Sequence, residues 1–156
     1  MSGGFSWLLI GLLAAALAVA AVCDWRNRTI PNGLNIGIAL LAIPFWWASG
    51  LSLWPDVAVQ VGIAALVFAL FVGAYALGQM GGGDVKLIGA LALWLPPLAV
   101  LNLLIIMSIA GGVLTLAMII PHRLRKSEGQ PETPYGIAIA FAGLWLVGER
   151  FLNQFV

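Results

Sequence analysis

The chain has 156 residues, of which 62% are hydrophobic and only 8% are charged, and its mean hydropathy is +1.06. These values lie far outside the range of soluble domains, so they predict an integral membrane protein. The formal net charge of +1 and the lack of a basic helix argue against a nucleic-acid partner. At about 20 residues per crossing, the length allows about five or six membrane-spanning helices, and we expect one membrane domain over residues 1–156.

Three apolar runs, separated by short polar breaks, occupy the N-terminal half of the chain. The first run lacks the basic start of a cleaved signal peptide, so it predicts a transmembrane helix. The polar break after it, residues 24–33, carries two arginines and includes Pro31. Proline suits the first turn of a helix, because no helical partner is available there for an N–H group. The predicted helices cover residues 6–23, 31–48 and 57–77.

The C-terminal half predicts three further helices, the first of which is unusual. Residues 85–95 are few for a full crossing, and Pro96 and Pro97 follow at once. Two interpretations stay open: a short, tilted or partly re-entrant fourth helix, or a helix that continues through the prolines with a kink. The last two helices are predicted over residues 98–120 and 135–151. The expected fold is an all-α polytopic membrane protein with six transmembrane helices.

Basic residues orient this bundle, because Lys and Arg concentrate in cytoplasmic loops. With six helices, the loops after the first, third and fifth share the cytoplasmic side, and both termini lie on the extracytoplasmic side. That second side holds only Arg150. A five-helix alternative, in which residues 85–95 do not cross, divides the basic loops between the two sides and is disfavoured. The basic residues assigned to the cytoplasm are Arg26, Arg28, Lys86, Arg123, Arg125 and Lys126.

Two of the few acidic residues fall on the predicted cytoplasmic face. Asp24 closes the first predicted helix, and Asp84 opens the fourth, directly after a run of three glycines. They are far apart in the sequence, yet this topology allows their side chains to meet. An ionisable residue near a bilayer is costly and indicates a functional site. The acidic residues outside this pair include Asp56 on the other face, and Glu128 and Glu132 in a hydrophilic loop.

A pair of neighbouring carboxylates can hydrolyse a peptide bond by activating water. Two carboxylates a few ångströms apart do not both ionise readily, so they share a proton. The ionised member can accept a proton from water, and the protonated member can donate one to the carbonyl oxygen or the leaving amine. This chemistry needs no cofactor. No metal site is predicted either, since Cys23 is the only cysteine and His122 lies in a basic turn.

Structural roles for the same residues compete with this hypothesis. Asp84 can cap the fourth helix, where a negative charge suits the helix dipole. Lys86 can be an interface charge that extends toward the headgroups. The alternative function is a non-enzymatic membrane scaffold or a proton-coupled transporter subunit. A proton relay, however, predicts carboxylates spread across the membrane depth, whereas these two cluster at one face.

Three segments resemble those of the prepilin peptidase (type IV leader peptidase) family. Gly81 to Asp84 fits the GxGD signature of intramembrane aspartyl proteases, and residues 81–90 resemble the family's second aspartate motif. Asp24, followed by Arg-Thr-Ile-Pro-Asn at residues 28–32, resembles the first. Residues 134–139, Pro-Tyr-Gly-Ile-Ala-Ile, resemble a segment near the family's C-terminus. The resemblance extends over essentially the whole chain.

The resemblance implies a peptidase whose catalytic residues are Asp24 and Asp84, with no cofactor. It implies a prepilin or pseudopilin substrate with a short basic leader, a glycine before the cut and an apolar helix after it. Cleavage is then expected at the cytoplasmic face of a bacterial inner membrane, and the pilus assembly machinery is a further expected partner. The residues expected to bind substrate or to shape the loops are Gly81, Gly82, Gly83, Lys86, Pro134, Tyr135 and Gly136.

The chain departs from the larger members of that family in its cysteine content. Long bacterial prepilin peptidases carry an additional cytoplasmic region with paired Cys-x-x-Cys motifs, which is associated with N-methylation of the trimmed pilin. Here the first predicted loop is short and Cys23 stands alone, so methyltransferase activity is not expected. The chain instead resembles the short peptidase form found with Flp or tight-adherence pili.

Overall fold

The structure is a computed structural model that describes residues 2–124 and 133–153; of residues 2, 121–124 and 151 it describes only the backbone. Six α-helices and no β-strand occur within this part of the chain. The predicted all-α fold with six helices is thereby confirmed. The helix bounds are Ser2–Asn27 for α1, Asn32–Ala48 for α2, Ala58–Ala76 for α3, Gly82–Ala92 for α4, Pro97–Leu124 for α5 and Tyr135–Leu152 for α6.

Three segments are long and apolar enough to cross a membrane: Gly3–Asn27, Leu53–Ala76 and Pro97–Ile120. α2 is a shorter apolar helix of 17 residues. Hydrocarbon supplies no hydrogen-bond partners, so a backbone that crosses it as a helix satisfies its N–H and C=O groups internally. The chain is therefore a multi-pass membrane protein.

α1 ends later than the polarity of the sequence predicts. The helix continues through Asp24 to Asn27, although residues 24–33 were expected to form a loop. The next residue, Arg28, terminates the helix: it has a left-handed φ of 54° and donates its N–H to the carbonyl oxygen of Asp24 at 3.0 Å. The predicted boundary is wrong because polarity marks where a chain leaves hydrocarbon, not where helical hydrogen bonding stops. Asp24 consequently projects from a helical turn rather than from a loop.

α4 is short and lies in the interior of the bundle. Its 11 residues extend about 16 Å, roughly half of the hydrocarbon thickness. α2, α3 and α6 all pack against it, and residues 84–92 are buried except for Lys86. Glycine makes this close packing possible, because a Cβ atom at Gly89 would lie 2.8 Å from the Phe68 ring of α3. Likewise, a Cβ atom at Gly143 of α6 would lie 2.8 Å from Leu91.

Two tryptophan side chains hold the turn that follows α4. Trp94 Nε1 donates a hydrogen bond of 2.9 Å to the carbonyl oxygen of Ile38, and Trp46 Nε1 donates one of 2.8 Å to that of Leu93. Non-helical backbone is tolerated at membrane depth when the protein itself supplies such partners. Since α5 then begins anew at Pro97, the interpretation of α4 as a short helix is the correct one.

The start of α5 lies at the end of the bundle opposite Asp24. Leu98 lines a cavity together with Ser49, at the end of α2, and Asn153, at the end of α6. α4 and its turn therefore carry the chain from one end of the bundle to the other, which contradicts the five-helix alternative. The expectations for the loop after α5 concern side chains outside the described residues, namely those of His122, Arg123, Arg125, Lys126, Glu128 and Glu132.

Candidate active site

Asp24 is buried against the first turn of α6, with 4% of its surface exposed. Its Oδ2 atom accepts a hydrogen bond from the backbone N–H of Ile137 at 3.2 Å, and the N–H of Gly136 also donates to the carboxylate. The first N–H groups of a helix have no helical partner and carry partial positive charge. Arg28 adds a full positive charge within electrostatic reach. Burial disfavours negative charge on Asp24, and the start of α6, together with Arg28, offsets part of that cost.

Gly136 leaves no room for a side chain beside Asp24. A Cβ atom at this position would lie 2.8 Å from the Cγ and Oδ2 atoms of Asp24, and 2.8 Å from Cδ1 of Ile30. Real Cβ atoms do not approach other atoms so closely. The contact between α6 and the carboxylate thus depends on glycine at this position.

The two residues before Gly136 have other surroundings. Pro134 is buried. The Tyr135 ring packs on α5, since a Cβ atom at Gly111 would lie 2.9 Å from its Cε1 atom. Of the predicted segment at residues 134–136, Gly136 is therefore the residue that contacts an aspartate, while Tyr135 holds α6 against α5.

Asp84 is the third residue of α4, with 8% of its surface exposed. It accepts a hydrogen bond from the backbone N–H of Gly81, the residue that precedes the helix, in the manner of a capping box. Asp84 therefore also has the structural role of a cap at the start of α4. Burial raises the pKa of Asp84 to about 7, and the negative charge of Asp24 contributes to this rise. Asp24 and Asp84 consequently lie within electrostatic reach of each other, as the predicted topology requires.

Ile30 lies between the elements that carry the two aspartates. Its side chain is buried, and it contacts Gly136 of α6 as described above. A Cβ atom at Gly83, next to Asp84, would lie 3.3 Å from the backbone nitrogen and Cβ of Ile30. One side chain from the α1–α2 connection therefore spaces the starts of α4 and α6. Ile30 was not among the expected site residues; the available signal is a branched apolar residue before a proline in a largely polar stretch.

The three glycines before Asp84 have different neighbours. A Cβ atom at Gly81 would lie 3.3 Å from Oδ2 of Asp84, so this glycine borders the carboxylate. Gly82 faces the ring of Tyr75, with 3.4 Å from its Cβ position to Cε2. Gly83 packs on Ile30. The glycine run thus lets α3, the carboxylate and the α1–α2 connection approach the start of α4 closely.

Asn35 of α2 is a second residue that was missed. It is buried, and its Nδ2 atom donates a hydrogen bond of 3.2 Å to the carbonyl oxygen of Gly83. Within the described chain its Oδ1 atom has no hydrogen-bond partner. A polar side chain in an otherwise apolar helix is the sequence signal that indicates such a residue.

Lys86 connects α4 with α2. Its Nζ atom donates a hydrogen bond of 2.8 Å to Oδ1 of Asn32, the first residue of α2, and the side chain is exposed. This hydrogen bond and the one from Asn35 to Gly83 both connect the start of α2 with the start of α4. Lys86 is therefore placed at the edge of the site, with its ammonium group on Asn32.

The chemistry that this arrangement offers is acid–base chemistry. Among the side chains that the structure describes, no group of three or more His, Cys, Asp or Glu residues is placed to hold a metal ion. Asp24 and Asp84 are two buried carboxylates whose protonation is coupled. Such a pair can hold one proton between its members and can exchange it with a water molecule.

Comparison with known proteins identifies relatives along most of the chain. The model of the type IV leader peptidase family matches residues 11–116, more than half of the chain, and this range includes Asp24 and Asp84. No solved structure gives a significant match.

Three similar proteins are bacterial. They are "Prepilin leader peptidase/N-methyltransferase" of Pectobacterium carotovorum subsp. carotovorum, 28% identical over 155 residues, "Type 4 prepilin-like proteins leader peptide-processing enzyme" of Escherichia coli, 29% over 142 residues, and "Prepilin leader peptidase/N-methyltransferase" of Burkholderia pseudomallei, 30% over 155 residues. The matches cover 93%, 88% and 90% of this chain, but 54%, 50% and 48% of those proteins. The chain thus spans about half the length of the curated relatives it matches. The extent of the family match shows that the chain belongs to the type IV leader peptidase family.

Proposed function

We propose that this chain is a membrane aspartyl endopeptidase that removes the short basic leader from type IV or Flp-like prepilins and pseudopilins. The observation that carries the proposal is the joint burial of Asp24 and Asp84 within electrostatic reach of each other. Family membership supports it, since the relatives are named as processing prepilin leaders. The proposal concerns the peptidase reaction alone and does not include the N-methyltransferase activity in two of those names.

The proposed site of cleavage is the cytoplasmic face of the bacterial inner membrane. Support comes from the basic residues Arg26, Arg28 and Lys86, which lie at the same end of the bundle as both aspartates. Lys and Arg concentrate on the cytoplasmic side of membrane proteins. Residues 1–156 then act as one peptidase domain, with the pilus assembly machinery as a further partner.

The surroundings of the two carboxylates favour different roles for them. Burial disfavours negative charge on both carboxylates, but at Asp24 the backbone N–H groups of α6 and the charge of Arg28 offset part of this cost, which makes Asp24 the base. The raised pKa of Asp84, about 7, makes it the acid. Two neighbouring carboxylates in unlike environments divide the acid and base roles in this way.

The reaction then follows without a cofactor. Asp24 accepts a proton from water as the water oxygen attacks the scissile carbonyl carbon, and Asp84 donates its proton to the carbonyl oxygen. When the carbon–nitrogen bond breaks, the proton held by Asp24 passes to the leaving amine, and Asp84 takes back a proton from one hydroxyl group of the tetrahedral intermediate, which restores the starting state of the pair. The products are a leader with a new carboxyl end and a pilin with a new amino end.

The test is cleavage of a co-expressed prepilin by the wild type, Asp24→Asn and Asp84→Asn. Both isosteric variants are expected to slow cleavage by on the order of 10²- to 10⁴-fold, because each removes one proton-transfer step. Asp56→Asn is the matched control. Asp56 is an exposed carboxylate at the other end of the bundle, and it accepts a hydrogen bond from the Ser52 hydroxyl group. Membrane level and thermal unfolding are compared for all variants. Normal trimming by either dyad variant means that the assignment is wrong and favours the scaffold or transporter alternative.

A further inference from the structure

A groove between α2, α3 and α4 lies beside the start of α4. Its volume is about 550 Å³. One end is polar and is formed by Asn32, Asn35 and Lys86, so we call it the Lys86 groove. The remainder is apolar, and much of it consists of small side chains that allow another helix to approach closely. The apolar lining includes Ile36, Ala39, Ala65 and Phe68.

A second groove, between α5 and α6, has a similar size but a different chemistry. Its volume is about 640 Å³, and its lining is apolar except for the indole N–H group of Trp145. Lipid tails can cover such a surface, because Trp145 is exposed and none of the lining residues has a buried polar side-chain atom without a partner. We call it the α5–α6 groove; its lining includes Ile109, Ala117, Phe141 and Trp145.

We propose that the Lys86 groove binds the apolar segment of the substrate, the part of the prepilin that follows the scissile bond. This inference rests on the proposed function and assigns it a binding surface. Three observations carry it: an unused hydrogen-bond acceptor at the polar end, the charge found there, and the position of that end relative to Asp84.

The unused acceptor is Oδ1 of Asn35. Because Gly83 presents a carbonyl oxygen to this side chain, the atom that faces Gly83 must be the amide nitrogen, and the amide oxygen remains as the acceptor. That oxygen is buried, and within the described chain it receives no hydrogen bond. A buried acceptor without a donor is costly. A lipid tail has no donor, whereas the first turn of a peptide helix has N–H groups without helical partners.

The charge at the polar end decides which part of the substrate occupies the groove. Lys86 carries its ammonium group there, bonded to Asn32. A basic leader is repelled by this charge, while an uncharged apolar segment is not. The segment after the cut is therefore the part that fits the groove, and the leader extends away from it.

The position of the polar end determines which part of the substrate lies beside Asp84. Asn35 bonds the carbonyl oxygen of Gly83, and Gly83 immediately precedes Asp84. A substrate helix that lies along the groove and begins at Asn35 has the peptide bonds that precede it beside Asp84, and the scissile bond is among them. An extended peptide there can also pair with the backbone of the glycine run, as an added strand pairs with a sheet edge.

The test fills each groove with a tryptophan and measures prepilin cleavage in proteoliposomes. Ala65→Trp fills the Lys86 groove, and Ala117→Trp is the matched control in the α5–α6 groove; both alanines are exposed, so neither change crowds the core. We expect Ala65→Trp to lower kcat/KM about tenfold, mainly by raising KM, because it removes substrate binding and leaves both carboxylates in place. Ala117→Trp is expected to stay within about twofold of the wild type. Membrane level and thermal unfolding are measured for both variants.

A second readout does not depend on catalysis. A prepilin with a photoreactive residue in its apolar segment is bound to Asp84→Asn protein and irradiated, and the cross-linked peptides are mapped. We expect cross-links to α3 and α4. Cross-links confined to α5 and α6 overturn the inference. Normal cleavage by Ala65→Trp also overturns it. If that variant cleaves normally but has lost a co-purified phospholipid, the groove is a lipid site and not a substrate site. Failure of the wild type to trim any prepilin overturns the proposed function itself, so the two failures are distinguishable.

Discussion

Gly136 packs against Asp24 so closely that a Cβ atom on the glycine would lie 2.8 Å from the carboxylate carbon. The two residues are 112 positions apart in the sequence, at the start of α6 and the end of α1. Their contact brings the N–H groups of the first turn of α6 within hydrogen-bonding distance of the carboxylate. The segment of residues 134–139 therefore contacts the segment that contains Asp24 through backbone atoms.

Replacement of this glycine should impair catalysis. Gly136→Ala forces Asp24 or Ile30 to move, and a displacement of about 1 Å in an active site can cost on the order of 10²-fold in rate. Overpacking should also lower the free energy of unfolding by about 1–3 kcal/mol. Prepilin cleavage and thermal unfolding measure the two effects. Gly148→Ala, in the same helix with no heavy atom within 4 Å of its Cβ position, is the control. Wild-type activity in Gly136→Ala contradicts the required contact.

Shortening of Ile30 should misplace both aspartates. Ile30→Ala removes the side chain between Gly83 and Gly136, and truncation of a buried isoleucine costs about 2–5 kcal/mol in unfolding free energy. Ile38→Ala is the matched control, because Ile38 is equally buried but lies farther along α2, beside Trp94. The measurement is cleavage rate per folded molecule. We expect a loss in Ile30→Ala alone, and equal rates in the two variants refute the spacing role.

The pH dependence of cleavage should follow Asp84. Its pKa is raised to about 7, first by burial and then by the charge of Asp24, so Asp84 carries its proton below that pH. As an acid it is active only when protonated, and kcat/KM should therefore fall as the pH rises through about 7, approaching tenfold per unit. Asp56→Asn should leave the profile unchanged. A rate that is constant or rises across this range excludes Asp84 as the acid.

The turn after α4 should depend on its tryptophan hydrogen bonds. Trp94→Phe leaves the carbonyl oxygen of Ile38 without its side-chain donor inside the bundle, which should cost about 1–3 kcal/mol in unfolding free energy. Trp47→Phe is the control, since 80% of Trp47 is exposed, and it should change stability by less than about 0.5 kcal/mol. Unfolding in detergent measures both. Equal stability of the two variants would show that the bond to Ile38 does not hold the turn.

Much of the arrangement was predictable because of the way apolar runs and charges alternate. Long apolar runs must be helical in lipid, and the basic loops order the helices into two ends, so Asp24 and Asp84 could be assigned to one face. The extent of α4 was left open, because Pro96 and Pro97 are compatible with either a stop or a kink. The structure resolves this through Trp46 and Trp94, whose indole N–H groups hold a break in the helix at that point.

The sequence by itself determined the class of the protein, the number and order of its helices and the shared face of Asp24 and Asp84. These properties follow from the composition and charge of short stretches of the chain, which do not depend on how the helices pack against each other. Only the tertiary structure decided that Gly136 binds Asp24, that Ile30 spaces α4 from α6, and that Asn35 supports Gly83. α1 and α3 are apolar on nearly all sides, so their sequences do not reveal which side faces a neighbour. The rotation of each helix is instead set by close packing at glycines, and packing exists only once all the helices are assembled.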